Sequence, residues 1–220
     1  MKVLAVDTTT AWGSVAVASS GDVLGEVRLC ASGSHSSRVL PDVEFLLGCL
    51  ELAVEDLDGF AVTLGPGSFT GLRVGIATVQ GLALGLERPC LGVSALDVLA
   101  ARAAGEAEVL AAMMDAWRGE VYGAIYDRQA RLLGGPWVET PAAFLSRLPE
   151  APALIGDAVG RHRDAILAER PAARFPCRSL YLAGTLARLA GPRILAGEGG
   201  GPEGLLPLYV RPPDAVPPKR

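Results

Sequence analysis

Leu64-Gly65-Pro66-Gly67-Ser68-Phe69-Thr70-Gly71-Leu72-Arg73-Val74-Gly75 carries an apolar strand, Phe60 to Leu64, through a loop of small residues into a glycine-spaced apolar helix that continues to Leu86. Strand, glycine turn and helix in that order are the building unit of an α/β fold. The loop looks like a phosphate cradle but lacks its chemistry. A Walker loop needs a lysine and a hydroxyl residue directly after its second glycine. The only lysines here are Lys2 and Lys219, so no lysine clamp, Schiff base or Ser-Lys dyad can be built inside the chain. The dinucleotide fingerprint fails as well, because Thr70 occupies the position where its third glycine belongs and Gly71 comes one residue late. Ser68 has no histidine near it in sequence and no Gly-x-Ser-x-Gly elbow around it. It reads as the N-cap of the helix rather than as a nucleophile, and a peptidase reading has no nucleophile and base to rest on.

Upstream of this unit, Lys2 to Asp7 is an apolar strand ending in an acid. Thr8 to Gly13 turns, Ser14 to Ala18 alternates, and Ser20-Gly21-Asp22 turns again into Val23 to Leu29. These features predict a three-stranded antiparallel meander. Ser34 to Ser37 offer hydroxyl caps to an amphipathic helix marked by Val39, Val43, Leu46, Leu47 and Leu50, with Pro41 tolerated in its first turn. Beyond the glycine unit, Cys90 to Val93 forms a short strand, made parallel by the helical crossover.

The second half repeats this order. Val109 to Met114 ends in Asp115, Trp117-Arg118-Gly119 turns, Glu120 to Tyr126 alternates, and Arg131 to Val138 makes a third strand. A helix at Pro141 to Leu148, a strand at Ala153 to Ile155 and a glycine turn at Gly156-Asp157-Ala158 follow. Two copies of β-β-β-α-β-α predict a bilobal α/β molecule, with lobes at 1–100 and 101–200 and a tail at 201–220.

Composition narrows the function classes. The chain has 220 residues, half of them hydrophobic, with a net charge of −4 and mean hydropathy +0.34, ample for a core. Residues 1–100 carry five basic side chains against eleven acidic, and residues 101–220 carry 15 against 13. That balance argues against a self-sufficient nucleic-acid binder, and the arginines between Arg161 and Arg193 read as a solvated helical face. Cys30, Cys49, Cys90 and Cys177 show no CxxC spacing, and His35 and His162 have no ligand partner at helical spacing. Buried reduced thiols and no structural metal are expected. Trp12, Trp117 and Trp137 lie in or beside strands and are expected to be buried. The apolar runs are too short or too interrupted to span a bilayer, and no signal-peptide core follows Met1. The expectation is a cytoplasmic protein with no membrane contact.

Asp7-Thr8-Thr9, Ser34 to Pro41, Leu64 to Gly75, Asp115 to Tyr122 and Pro207-Leu208-Tyr209-Val210-Arg211 together resemble the bacterial TsaB (YeaZ) family over essentially the full length. Thr9, where serine is usual, and Trp117, inside an Asp-Ala-Arg-like turn, depart from the family pattern. The resemblance implies a two-lobed actin/Hsp70/sugar-kinase (ASKHA, RNase H-like) fold. It also implies the role of a non-catalytic partner that binds and orders a TsaD-like transferase. That enzyme makes N6-threonylcarbamoyladenosine at position 37 of tRNAs reading ANN codons. The implied partners are TsaD, a TsaE-like ATPase, a second copy of the chain when alone, and tRNA only through the complex. ATP or ADP with Mg is implied only in the assembled complex, with no cofactor of the chain's own.

Phosphoryl chemistry in this fold needs phosphate contacts and metal-holding carboxylates from both lobes. Asp7, Thr8 and Thr9 form a remnant of the first phosphate turn. At the second, the indole of Trp117 and the guanidinium of Arg118 stand where phosphate needs close backbone approach. Asp7 reads either as a vestigial ligand or as a structural turn acid, and a stand-alone ATPase or ATP-dependent phosphotransferase is the alternative function. The partner surface expected from the two helices and the loop before them comprises His35, Arg38, Val39, Leu40, Val43, Leu47, Gly71, Leu72, Val74, Gly75 and Thr78. Gly71, Gly75 and Thr78 are read there as one small-residue stripe, extended by Gly85.

Overall fold

The structure, a computed structural model, describes residues 1–30 and 37–211. The opening meander forms as expected, with β1 (Lys2–Asp7), β2 (Trp12–Ser19) and β3 (Asp22–Cys30). Helix α1 (Val39–Cys49) leads to β4 (Gly59–Gly65), α2 (Phe69–Leu86) and β5 (Cys90–Ser94). The five strands pair in the order β3-β2-β1-β4-β5. The β1 strand is antiparallel to β2, with Asp7 opposite Ser14, and parallel to β4, with Val6 opposite Val62. The crossover through α2 makes β4 and β5 parallel.

Every residue of β1 from Val3 to Asp7 is buried, because helices cover both faces of this sheet. Leu4, Val6, Val15, Val17, Phe60 and Val62 point into a core with α1 and α2. On the other face lie the small side chains of Ala5, Ala16 and Ala61. That face admits a closely seated helix built from Ala183, Gly184, Ala187 and Ala190, which are themselves buried.

This helix is the last α-helix among the described residues. The second lobe consists of β6 (Val109–Asp115), β7 (Val121–Asp127), β8 (Leu132–Glu139), α4 (Pro141–Ser146), β9 (Ala153–Ile155), α5 (Asp157–Arg161) and α6 (Arg163–Glu169), preceded by α3 (Ala95–Arg102). Its four strands run β8-β7-β6-β9, the same antiparallel-then-parallel pairing around β6 as around β1. Helix α7 (Ala183–Leu195), inside the expected second lobe, instead returns to the first sheet. The Ala183 amide donates to Ser14 Oγ at 3.0 Å and the Gly184 amide to Glu26 Oε1 at 3.1 Å. Sequence reading assigned no element to α3 or α7.

Helix α3 is the seam between the lobes. Its Ala95, Leu96, Val98, Leu99 and Ala100 share one core with Val3 and Ala5 of the first sheet and Leu110, Ala112 and Met114 of the second. The buried Tyr126 hydroxyl donates to Asp97 Oδ1 at 2.7 Å, pinning β7 to α3. Burial and that carboxylate push the Tyr126 phenol far above its ordinary range.

Two expectations fail on exposure. Cys90 alone among the cysteines is buried, while Cys30, Cys49 and Cys177 are exposed free thiols, because they end β3, end α1 and precede α7 rather than fill a layer. Trp117 is 51% exposed, since it sits at the tip of the β6–β7 turn in a left-handed conformation (φ 56°). The stretch 197–201 pairs with β5 through reciprocal hydrogen bonds between Cys90 and Gly200.

Candidate functional site: a phosphate turn filled by its own chain

The β1–β2 turn begins at Asp7, which is fully buried. Its Oδ1 accepts from the Thr9 amide at 3.2 Å, the Thr9 hydroxyl at 2.7 Å and the Thr63 hydroxyl of β4 at 2.6 Å. The glycine loop lies directly on this turn. The Ser68 amide donates to the Thr9 carbonyl at 2.7 Å, and the Thr8 hydroxyl donates to the Gly71 carbonyl at 2.7 Å. Ser68 caps α2 as expected, its Oγ accepting from the Gly71 amide at 3.3 Å. A phosphate is held by N–H and O–H donors. Here the hydroxyls of Thr8 and Thr9 and the amides of Thr9, Ser68 and Gly71 are each directed at an acceptor of the same chain.

The glycines make this contact sterically possible. A Cβ at Gly67 would lie 2.3 Å from the Thr9 carbonyl oxygen, one at Gly71 2.0 Å from the Thr8 carbonyl oxygen, and one at Gly75 2.4 Å from Thr8 Oγ1. Gly71 and Gly75 are therefore buried against their own β1–β2 turn, and Leu72 is buried beside Gly65. The same holds on α1, where Val39, Val43 and Leu47 are between 4% and 6% exposed. The apolar period that revealed this helix is the face it turns to its own sheet.

Four of the expected surface residues point outward or lie half-buried: Arg38, Leu40, Val74 and Thr78, the last with its hydroxyl returned to the Val74 carbonyl at 2.8 Å. His35 lies outside the described residues. Sequence reading missed Phe45, Phe69 and Leu84, which are 65%, 50% and 70% exposed. The available signal was a large apolar residue lying off the buried stripe. The outward stripe of small residues on α2 is Ala77, Gly81 and Gly85, all exposed, with open space in front of both glycines. By length and composition α2 could cross a membrane (mean hydropathy 1.3). Here its Ile76, Val79 and Ala83 are buried in the first lobe's core, and Leu72 is buried as well.

The second lobe presents a different turn. Asp115 Oδ1 accepts from the Trp117 amide at 2.9 Å, and its Oδ2 pairs with Arg161 at 3.2 Å. Trp117 and Arg118 both have positive φ. The Asp115 amide donates to Asp157 Oδ1 at 3.1 Å, and burial raises the pKa of Asp157. Between the lobes, Thr10, Leu99, Met114, Asp157, Leu180 and Leu182 line a space of only about 10 Å³, room for about one water. Small-molecule pockets are tens of times larger. Among the described residues no three His, Cys, Asp or Glu side chains are grouped to hold a metal. Several arginines of the chain's second half are engaged within the chain: Arg178 with Glu106, Arg193 with Glu198, Arg170 with backbone carbonyls and Arg163 over Phe175.

Comparison with known proteins agrees with this architecture. The family model for TsaD, tRNA N6-adenosine threonylcarbamoyltransferase, matches residues 25–173. The solved structure of a Pseudomonas aeruginosa protein described as similar to peptidase YEAZ is 37% identical. It superposes with a TM-score of 0.83, covering 96% of this chain and 99% of that one. The chain belongs to the TsaB/YeaZ family. The Escherichia coli (strain K12) TsaB, a tRNA threonylcarbamoyladenosine biosynthesis protein, is 45% identical over 131 residues, 58% of this chain and 56% of that protein. The match thus spans about half the length of the curated TsaB relative. The activator of the 2-hydroxyisocaproyl-CoA dehydratase from Clostridium difficile, solved with bound ADPNP, superposes at TM-score 0.60 and 11% identity over 90% of this chain and 97% of that one. At that identity it shares with this TsaB/YeaZ member the two-lobed actin-like fold alone.

Proposed function

We infer that this chain serves N6-threonylcarbamoyladenosine formation in tRNA as a non-catalytic subunit that docks on and orders a TsaD-like transferase. One observation carries the reading. The donors of the β1–β2 turn that would hold a phosphate are spent within the chain, the Thr8 hydroxyl on the Gly71 carbonyl of the glycine loop and the Thr9 amide and hydroxyl on Asp7, and Thr8 and Gly71 lie in close contact. A lobe filled in this way has surrendered phosphate handling, and its remaining asset is surface. The surface proposed for docking is the outward side of α1 and α2: Leu40, Phe45 and Leu84, with Ala77, Gly81 and Gly85 allowing another helix to approach closely. The same side serves self-association when the partner is absent. A TsaE-like ATPase, ATP or ADP with Mg, and tRNA are met only in the assembled complex, in the cytoplasm.

Co-expression with the host's TsaD-like protein, followed by native mass spectrometry, tests the reading. A saturable complex that Leu84→Arg and Phe45→Arg weaken at least tenfold is expected, since large exposed apolar anchors dominate such interfaces. The purified chain alone should not turn over Mg-ATP. Hydrolysis by the isolated chain that Asp7→Ala abolishes would establish the phosphotransferase alternative instead.

A further inference from the structure

The chain from Leu205 to Arg211 is a strap with an attachment in each lobe. Leu205 is buried in the core beneath α1 and α2, where Gln80 Nε2 donates to the carbonyls of Pro202 and Leu205 at 3.0 and 3.2 Å. The strap then reaches the start of α2. The Leu208 amide donates to the Leu64 carbonyl at 2.7 Å, and the Leu208 carbonyl passes 3.0 Å from where a Cβ on Gly65 would stand. Tyr209 stacks on Phe69, ring centroids 5.7 Å apart. Its hydroxyl accepts from Arg73 Nε at 3.3 Å, and the Arg73 guanidinium lies 3.8 Å from the Phe69 centroid. Two residues on, Arg211 crosses to the second lobe and pairs with Glu120, the last residue of the β6–β7 turn.

Among the described residues the lobes also meet at the seam through α3, an apolar core whose polar contacts include the Tyr126–Asp97 pin and Arg102 with Thr185 and the Tyr181 carbonyl, and apolar packing has no direction of its own. The strap is a second attachment, rooted by buried Leu205 and by Gln80 and continued outward by the Leu208 backbone hydrogen bond, the Tyr209 contacts with Phe69 and Arg73 and one ion pair. The Arg211 and Glu120 side chains are 21% and 36% exposed, and Tyr209 and Phe69 39% and 50%. Contacts of that exposure are individually weak and open readily.

We propose that Leu205 to Arg211 is a reversible latch across the inter-lobe groove. Closed, it ties the glycine loop and the first turn of α2 to the Asp115–Glu120 turn. Released, the two turns separate and the lobes pivot about α3. The latch depends on no partner and no ligand, so it stands or falls apart from the proposed function.

Hydrogen–deuterium exchange of the purified full chain tests it, using Tyr209→Ala, Arg211→Ala and the double variant. Each single substitution should speed exchange by about fivefold at both ends of the strap, the glycine loop 65–71 and the turn 115–120. The double variant should go no further than the larger single effect, because one strap opens once. Glu120→Gln, a neutral isostere, should repeat the far-end effect at the glycine loop. Salt at about 1 M should reproduce Arg211→Ala in the natural chain and add nothing in that variant. Acceleration confined to the altered end, additive effects in the double variant, or no acceleration at all would each overturn the latch.

Discussion

Gly71 and Thr8 are locked together: the Thr8 hydroxyl donates to the Gly71 carbonyl at 2.7 Å, and a Cβ on Gly71 would come within 2.0 Å of the Thr8 carbonyl oxygen. The contact joins the first strand's turn to the helix that crosses from β4 to β5. It both closes the place where a phosphate would bind and seats α2 on its sheet. Two different jobs therefore rest on one missing methyl group.

Gly71→Ala forces backbone apart and should lower stability by about 3 kcal/mol or more, at the upper end of overpacking costs. Gly81→Ala, on the opposite side of the same helix with open space before it, should instead gain roughly 0.5–1 kcal/mol from helix propensity. Thermal and urea unfolding of the two variants compare them directly. If both substitutions were equally harmless, α2 would not be seated as described.

Thr63→Val keeps shape at a buried position but removes the hydroxyl that donates to Asp7 Oδ1 at 2.6 Å. A lost hydrogen bond to a buried carboxylate costs about 1.5–3 kcal/mol. A urea midpoint unchanged from the natural chain would mean that Asp7 does not rely on Thr63.

Burial of Asp157 raises its pKa above the ordinary 3.8, outweighing the backbone amides that lower it. A carboxyl whose folded value is raised contributes stability that is fully present below the unfolded value and is lost as pH rises through the folded value. Asp157→Asn retains an acceptor for the Asp115 amide and cannot ionise. It should therefore gain stability relative to the natural chain as pH climbs from below 4 toward neutrality. Paired denaturant titrations across that range read the difference, and a constant gap would refute the assignment.

Desolvation raises the Cys90 thiol, with Glu203 adding to the shift, while Cys30, Cys49 and Cys177 are exposed. Near pH 8, a water-soluble thiol reagent should modify those three promptly and Cys90 only on unfolding. Peptide mass mapping at successive times distinguishes this from uniform reactivity.

The strand and helix order was legible because it is written in local periods. Lys2 to Asp7 and Val109 to Asp115 read as strands ending in acids, and both halves repeat strand, turn, strand and glycine turn. Ser68 was legible as a cap because capping is a matter of residues three apart. The outward face of α1 and α2 was not legible, for the period that exposes a helix in sequence is the period of its buried side. Val39, Val43, Leu47, Gly71 and Gly75 stood out for that reason and proved to be interior. Phe45, Leu84 and the Ala77-Gly81-Gly85 stripe follow no such rule, because a displayed residue answers to nothing within its own chain.

Sequence alone settles that this is a two-lobed α/β chain without an internal lysine clamp, since composition and short-range spacing are enough for both. Only the assembled molecule decides that α7 crosses back to the first sheet, that Arg211 reaches Glu120 and that Thr8 meets Gly71. Those contacts join residues from 63 to 169 positions apart, and no local preference encodes a meeting at that distance. It comes from which buried faces match in size, with alanine and glycine surfaces drawing elements close and larger side chains holding them apart.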